Sequence, residues 1–231
     1  MADADTDILI IGAGGAGLAA AAEIVHSGRR VLILEARDRI GGRIWTRSLP
    51  DLGVPIEYGA EFIHGRALAT VAILRRGGGS VIESTDTHFR LHDGALAARN
   101  EFFQEVQRAM RASAALEKQD MTFDCFLEQL QELSPAARRY ARMMAQGFDA
   151  ADTSRASARA IVAEWTAMDD AAPPSRPQGG FDALLAALAG ALQNESVGLQ
   201  LQSVVRAVRW SKGSIEVEGT RFGEPFQARA R

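Results

Sequence analysis

An α/β fold is predicted, in which a parallel sheet crossed by helices is interrupted by a mainly helical insertion and then resumed. Three observations predict it. Ile8, Leu9, Ile10 and Ile11 form a continuous apolar run, the pattern of a strand buried on both faces. The glycine-rich turn Gly12-Ala13-Gly14-Gly15-Ala16-Gly17 follows at once and opens a small-residue helix through Ala19 to Val25. Val31 to Leu34 make a second apolar run that closes on Glu35, whereas much of the stretch from Asn100 to Trp165 has helical periodicity.

Strand, G-x-G-x-x-G turn, helix, strand and terminal acid together make a Rossmann-like dinucleotide fingerprint. Gly12 permits the tight turn, Gly14 lets the backbone approach a pyrophosphate, and Gly17 lets helix and strand pack closely. The helix N-terminus faces the phosphate charge. Glu35 can accept ribose hydroxyl hydrogen bonds and would repel a 2′-phosphate, which disfavours NADP. NAD and FAD proteins share this turn, and the next segment separates them. A nicotinamide dehydrogenase continues with further strand and helix repeats; here Glu35 runs into Ala36-Arg37-Asp38-Arg39-Ile40-Gly41-Gly42-Arg43, which is polar, glycine-rich and poor in helix formers. Gly41 and Gly42 allow close backbone approach, and Arg43 can reach an anionic diphosphate with a forked donor set. Arg37 or Arg39 pairs either with the ribose or with acidic surface groups.

The 231 residues suffice for one large domain or two small ones, and 47% hydrophobic with 24% charged residues describes an ordinary soluble globular chain. A net charge of -3 gives no electrostatic case for nucleic acid. Ile8 to Ile11 is far too short to span a bilayer, and acidic residues precede it, so neither a membrane span nor a secretory signal is expected. Cys125 is the one cysteine, which excludes an internal disulfide and fits a reducing, cytoplasmic setting. It reads as helix packing rather than as a nucleophile. His26, His88 and His92 lack metal-ligand spacing, and no metal site is expected.

Along the rest of the chain, Leu68 to Leu74 reads as a helix stopped by Gly77-Gly78-Gly79. Val81-Ile82 and Phe89 to Leu91 read as strands flanking Asp86, with a turn at Asp93-Gly94. Helices are expected over Asn100 to Leu116, with Phe102, Phe103, Val106 and Met110 inward, over Phe123 to Leu133, and over Ala136 to Gln146 after Ser134-Pro135. Another is expected over Thr153 to Trp165, capped by Asp152 or Thr153. Pro173-Pro174 and Pro177 to Gly180 mark a crossing, and Phe181 to Leu192 reads as a helix. Val197 to Gln202, Val204 to Trp210 and Ile215 to Val217 return to strand character, and Phe226 to Arg231 enters another strand.

Glu35-Ala36-Arg37 through Gly41-Gly42-Arg43 resembles the signature of the flavin-containing amine oxidases, the superfamily of monoamine, polyamine and L-amino-acid oxidases and flavin histone demethylases. Glu57-Tyr58-Gly59-Ala60-Glu61-Phe62-Ile63-His64-Gly65 resembles the family segment beside the isoalloxazine, its His-Gly ending being closer to the polyamine-oxidase type. Gly179-Gly180-Phe181 and Leu201 to Val208 extend the resemblance. It implies FAD bound to a Rossmann-like domain of the GR2 type at residues 1–75 and 179–231, with a largely helical substrate domain at 76–178. It also implies a cofactor set of Gly12, Gly14, Gly15, Gly17, Glu35, Ala36, Arg37, Gly42, Arg43, Gly59, Ala60, Glu61 and Phe62, with Val205 on the adenine.

The implied activity is oxidation of a small-molecule amine C–N bond to an imine, with hydride transfer to flavin N5, O2 as acceptor and H2O2 as product. Two readings stand open for His64, a substrate-side role implied by the resemblance and a simple packing hydrogen bond. Glu61 either steers a cationic amine or faces solvent. A full family member is about twice as long, as two sizeable domains require. The chain therefore reads as truncated, needing a complementary C-terminal chain or self-association. The family lysine near flavin N5 matches neither Lys118 nor Lys212. A noncatalytic FAD-binding or regulatory fragment and a flavin desaturase or isomerase are the rival readings.

Overall fold

The computed structural model describes residues 5–49, 51, 53–84, 89–92, 94–98, 101–111, 116, 119–167 and 173–231. Asp86, His88, Asp93, Asn100 and Lys118, and the side chains of Phe102 and Phe103, lie outside the described residues. Two compact units result. One comprises Met1–Ile63, Ala67–Glu83 and Ser175–Arg231, the other His64–Arg66 and Ser84–Pro174.

In the first unit β1 (Asp5–Thr6) and β2 (Ile8–Ile11) lead into α1 (Gly15–Ile24), and β3 (Val31–Leu34) follows. With β10 (Val197–Gln200) they build a parallel sheet ordered β10, β3, β2, in which Ile8 and Val197 both lie opposite Val31. All four residues of β3 are buried, because the pleat sends alternate side chains to opposite faces. Val31 and Ile33 share a core with Leu18 and Ala21 of α1 and with Leu184, Leu185 and Leu188 of α7 (Asp182–Ala189). Leu32 and Leu34 share another with Val217 and Ala228. Those two residues come from an antiparallel meander of β11 (Ser203–Ser211), β12 (Ser214–Arg221) and β13 (Glu224–Ala230), in a sheet ordered β1, β13, β12, β11. Each such aliphatic side chain contributes roughly 1.5–3 kcal/mol by burial, so this one short strand holds two layers together.

Local pairing sets the limits of the unit. β4 (Thr46–Leu49) and β5 (Val54–Glu57) form a hairpin where the sequence shows no clear alternation, and α2 (Leu68–Arg76) ends at Gly77. β6 (Val81–Glu83) pairs antiparallel with β9 (Ser175–Pro177). This pairing carries the first unit to residue 83 and resumes it at 175, beyond the limits of 75 and 179 read from the sequence.

The second unit contains the hairpin of β7 (Phe89–His92) and β8 (Ala95–Ala98) and the helices α3 (Glu101–Arg111), α4 (Phe123–Gln129), α5 (Pro135–Gly147) and α6 (Ala158–Ala167). Its core gathers Val106, Met110, Phe123, Phe126, Leu127, Ile161 and Trp165 with the stripe Ala137, Ala141, Ala145 on α5. Ser134 caps α5 by accepting the Ala137 N–H, with Pro135 in the first turn.

Three expectations are corrected in this unit. The last helix begins at Ala158, not Thr153: Thr153 donates to Asp124, Asp152 accepts from Ser154, and Ser157 caps by accepting the Ala160 N–H. The helix from Phe123 stops at Gln129, where Leu130 leaves helical geometry and its carbonyl accepts from Arg138. Cys125 is exposed rather than packed, since Phe123, Phe126 and Leu127 take the inward face. Among the described residues no helix is long and apolar enough to cross a membrane, and no acid, histidine or cysteine cluster could hold a metal.

Candidate functional site

The glycine turn is tied to its surroundings by backbone hydrogen bonds. Gly12, at φ +100°, donates to the Leu34 carbonyl at 2.8 Å. Ala13 donates to Glu35 Oε2 at 2.7 Å, and its own carbonyl accepts from the Gly41 N–H at 2.8 Å. Glu35 is 5% exposed, and its Oε1 accepts from the Arg37 N–H at 2.8 Å. Each carboxylate oxygen therefore spends one lone pair on the backbone and keeps another for an incoming hydroxyl.

Four of the glycines act differently. A Cβ at Gly17 would overlap the Gly12 carbonyl oxygen and come within 3.2 Å of the Ile10 side chain, so Gly17 is required for helix–strand packing. At Gly14 a Cβ would meet nothing nearer than 3.9 Å, and the backbone there is extended. Gly14 caps α1 without a side-chain hydrogen bond, and the first turn holds no acid. Gly42 packs directly on it: a Cβ at Gly42 would lie 3.3 Å from the Gly14 Cα. Gly15, the first residue of α1, has ordinary room, with Ile44 Cδ1 3.5 Å from a would-be Cβ.

The same circuit continues to the third segment. The Arg43 carbonyl accepts from the Ala60 N–H at 3.0 Å, and the Trp45 carbonyl from the Tyr58 N–H at 2.7 Å. A Cβ at Gly59 would overlap the Arg43 carbonyl, which fixes glycine there. Ala36, Arg37, Arg43, Gly59 and Glu61 are exposed, Ala60 and Phe62 half-buried. Arg39 takes neither role expected for it. Its guanidinium donates to the Ile40, Gly42 and Ile44 carbonyls at 3.0–3.1 Å and lies 4.8 Å from the Trp45 ring, bracing the Gly41–Gly42 loop. Val205 lies in β11, whose first residue Ser203 donates its N–H to the Glu35 carbonyl at 2.8 Å, and it packs against the core of Leu32, Leu34, Val217 and Ala228. His64 falls in the second unit, exposed, its ring edge-on to Phe148 at 5.1 Å.

Sequence reasoning missed a network around Glu57. Its Oε1 accepts from the Phe181 N–H and its Oε2 from the Thr46 hydroxyl, both at 2.7 Å, while Thr46 Oγ1 accepts from the Asp182 N–H at 3.1 Å. The pair therefore caps α7. Gly180, at φ +87°, leaves room that a Cβ would take, 2.8 Å from Glu57 Oε1. The visible signal was the Gly179-Gly180 pair before an apolar helix; its partners lie more than a hundred residues earlier.

A family model described as flavin containing amine oxidoreductase matches residues 16–230. The chain belongs to that family. Among its relatives, putrescine oxidase of Kocuria rosea is 46% identical over 59 residues, covering 26% of this chain and 12% of that protein. Lysine-specific histone demethylase 1 homolog 2 of Oryza sativa subsp. japonica is 32% identical over 142 residues, or 61% of this chain and 16% of that one. Two solved structures share the fold: a wild-type putrescine oxidase bound to putrescine, with 22% identity, TM-score 0.75 and 98% of this chain covered, and cyclohexylamine oxidase from Brevibacterium oxydans IH-35A, with 22%, 0.72 and 97%. This chain spans 56% of each. The residues of this chain fit a flavin dinucleotide: a helix N-terminus without a side-chain cap, a backbone cradle at Gly14 and Gly42 without side chains, and a buried acid with acceptor capacity left.

Proposed function

We propose that this chain supplies the dinucleotide-binding half of an FAD-dependent amine oxidase. The observation that carries the reading is the hydrogen-bonded circuit from Glu35 through Ala13 and Gly41 to Arg43 and Ala60. Gly12, Gly14, Gly15 and Gly17 would present α1 to the pyrophosphate, and Gly42 with Arg43 would close over it. Glu35, with Ala36 and Arg37 beside it, would hold the ribose, and Val205 would pack on the adenine. Gly59, Ala60, Glu61 and Phe62 would line the isoalloxazine, and His64 would stand on the substrate side.

When bound, the flavin supplies the redox chemistry, taking a hydride equivalent from the amine α-carbon and passing electrons to O2 to give H2O2. The chain's part is to bind and orient a neutral amine and to keep water in its place. The C-terminal portion of the family fold, or a partner chain that carries it, would complete the substrate side, in keeping with the fraction of the solved structures that this chain spans. A reducing, cytoplasmic setting suits the lone exposed Cys125.

The test is visible absorption and intact mass on natively purified protein, followed by an amine-dependent peroxide assay. Gly14→Val is the decisive variant, because the fold has room at Gly14 and a dinucleotide would not. Its expected outcome is a protein that still folds but has lost flavin, with Gly14→Ala, whose Cβ meets nothing nearer than 3.9 Å, as the milder companion variant. Flavin retained by Gly14→Val would overturn this orientation. FAD bound stoichiometrically with no peroxide from any amine, whatever chain co-purifies, would favour the noncatalytic FAD-binding reading.

A further inference from the structure

Glu57 joins three stretches of the first unit that lie far apart in the sequence. Its carboxylate accepts from the Phe181 N–H and from the Thr46 hydroxyl, and Thr46 in turn accepts from the Asp182 N–H. Phe181 and Thr46 are buried and Glu57 is half-buried, so water competes weakly for these bonds. The acceptor is a carboxylate at the N-terminus of α7, which strengthens the contact further. α7 is fixed to the parallel sheet, because Leu184, Leu185 and Leu188 share the core of Val31 and Ile33.

Thr46 lies opposite Glu57 in the β4–β5 ladder, and the pairing runs on past them. The Tyr58 N–H donates to the Trp45 carbonyl, and the Ala60 N–H to the Arg43 carbonyl. From Tyr58 to Phe62 no residue is buried. The segment therefore takes its position from its two ends, Glu57 on α7 and the buried Ile63, whose N–H donates to the Ser175 carbonyl at 2.7 Å. The Glu35 carboxylate hangs from the end of β3 and uses none of these bonds.

We propose, resting on the amine-oxidase reading above, that Glu57 is a positioning residue for the flavin ring. It sets the backbone of residues 58–62 beside the isoalloxazine and takes no part in holding the dinucleotide. Cofactor affinity and flavin reactivity are then separable in this chain. The first belongs to Glu35 and the glycine turn, the second to a carboxylate that acts through the backbone of its neighbours.

Three variants grade the clamp. Glu57→Gln keeps it, since the amide oxygen can accept from Phe181 while the amide nitrogen donates to Thr46 Oγ1. Thr46→Val, close in shape, removes the hydroxyl between Glu57 and Asp182, and Glu57→Leu removes both bonds of the carboxylate. Exchange of the Tyr58 and Ala60 amides with deuterium should be at least about tenfold faster in Glu57→Leu, intermediate in Thr46→Val and unchanged in Glu57→Gln. Protected β3 amides report that each variant is folded. The visible circular dichroism of the bound flavin should change in the same order. Its midpoint potential should move in Glu57→Leu by about 30 mV or more, a tenfold change in the relative binding of reduced and oxidised flavin. FAD affinity measured by dilution should stay within about twofold throughout, as for independent sites.

Unchanged exchange or an unchanged flavin spectrum in folded Glu57→Leu overturns the assignment and leaves the amine-oxidase reading standing. FAD lost from that variant with β3 still protected overturns the separation, and Glu57→Gln behaving as Glu57→Leu overturns the clamp in favour of charge alone. Should Glu57→Leu not fold, Thr46→Val carries the same comparison. An unsubstituted protein that binds no FAD overturns the amine-oxidase reading and this role with it.

Discussion

In the first unit, the residues proposed to meet the cofactor are held by main chain. Glu35 touches the N–H groups of Ala13 and Arg37, Gly17 and Gly59 exist to let carbonyls pass, and Arg39, which is not itself in that set, braces the Gly42 loop through three carbonyls. In the second unit the order comes from side chains: Phe123 against Phe126 and Trp165, an alanine stripe on α5, and caps from Ser134 and Ser157. A main-chain site tolerates little change in backbone shape but much change in exposed side chains. A side-chain core has the opposite tolerance.

Substitutions can break that contrast. Phe123→Ala, at a side chain with no exposure, should cost about 3–5 kcal/mol and lower the melting temperature of the second unit. If the contrast is right, flavin absorption per folded molecule stays unchanged. Gly17→Val should cost about 3 kcal/mol through overlap with the Gly12 carbonyl, removing fold and flavin together, unlike Gly14→Val. Glu35→Ala should cost about 1–3 kcal/mol by leaving two N–H groups unpaired, and should weaken FAD binding in a dilution assay. A Glu35→Ala protein of full stability would show that the buried carboxylate is not the clasp described.

The smallest effect is a pH effect. Burial holds the Asp149 carboxyl above the usual carboxylate range, against the pull of the Trp165 indole N–H at 2.9 Å. Its Oδ1 is buried and accepts no hydrogen bond among the described residues. The folded state thus binds that proton more tightly than the unfolded chain. The stability it contributes is present below the ordinary Asp value and is lost as pH rises through the raised folded one. Asp149→Asn should therefore melt higher than the unsubstituted protein at neutral pH, with the difference closing as the pH falls. Melting curves across that window decide it.

How much was legible follows the same division. The turn from Gly12 to Gly17, the strands on either side and Glu35 all lie between Ile8 and Glu35, and each obeys a local rule of conformation. The pairing of Glu57 with Phe181 joins residues 124 apart, and no local pattern announces it. Asp152 and Thr153 are good capping residues by type, yet Asp124 and Ser154 claim them, and the helix starts later. Cys125 was misplaced because the inward positions Phe123, Phe126 and Leu127 follow helical spacing and leave it outside. Arg39 illustrates the remaining gap: an arginine in a glycine loop reads as a ligand for phosphate or ribose, and only tertiary structure shows it bound to the loop itself.

β3 has a further consequence. Because Val31 and Ile33 belong to one core and Leu32 and Leu34 to the other, opening either layer alone leaves the strand clamped. Its amides should be the slowest in the unit to exchange with deuterium, released only by global unfolding. Glu35 directly follows the strand, so the proposed ribose clasp grows from the least mobile point of the unit. A dinucleotide held there would be anchored at one fixed end, leaving any rearrangement during turnover to the other.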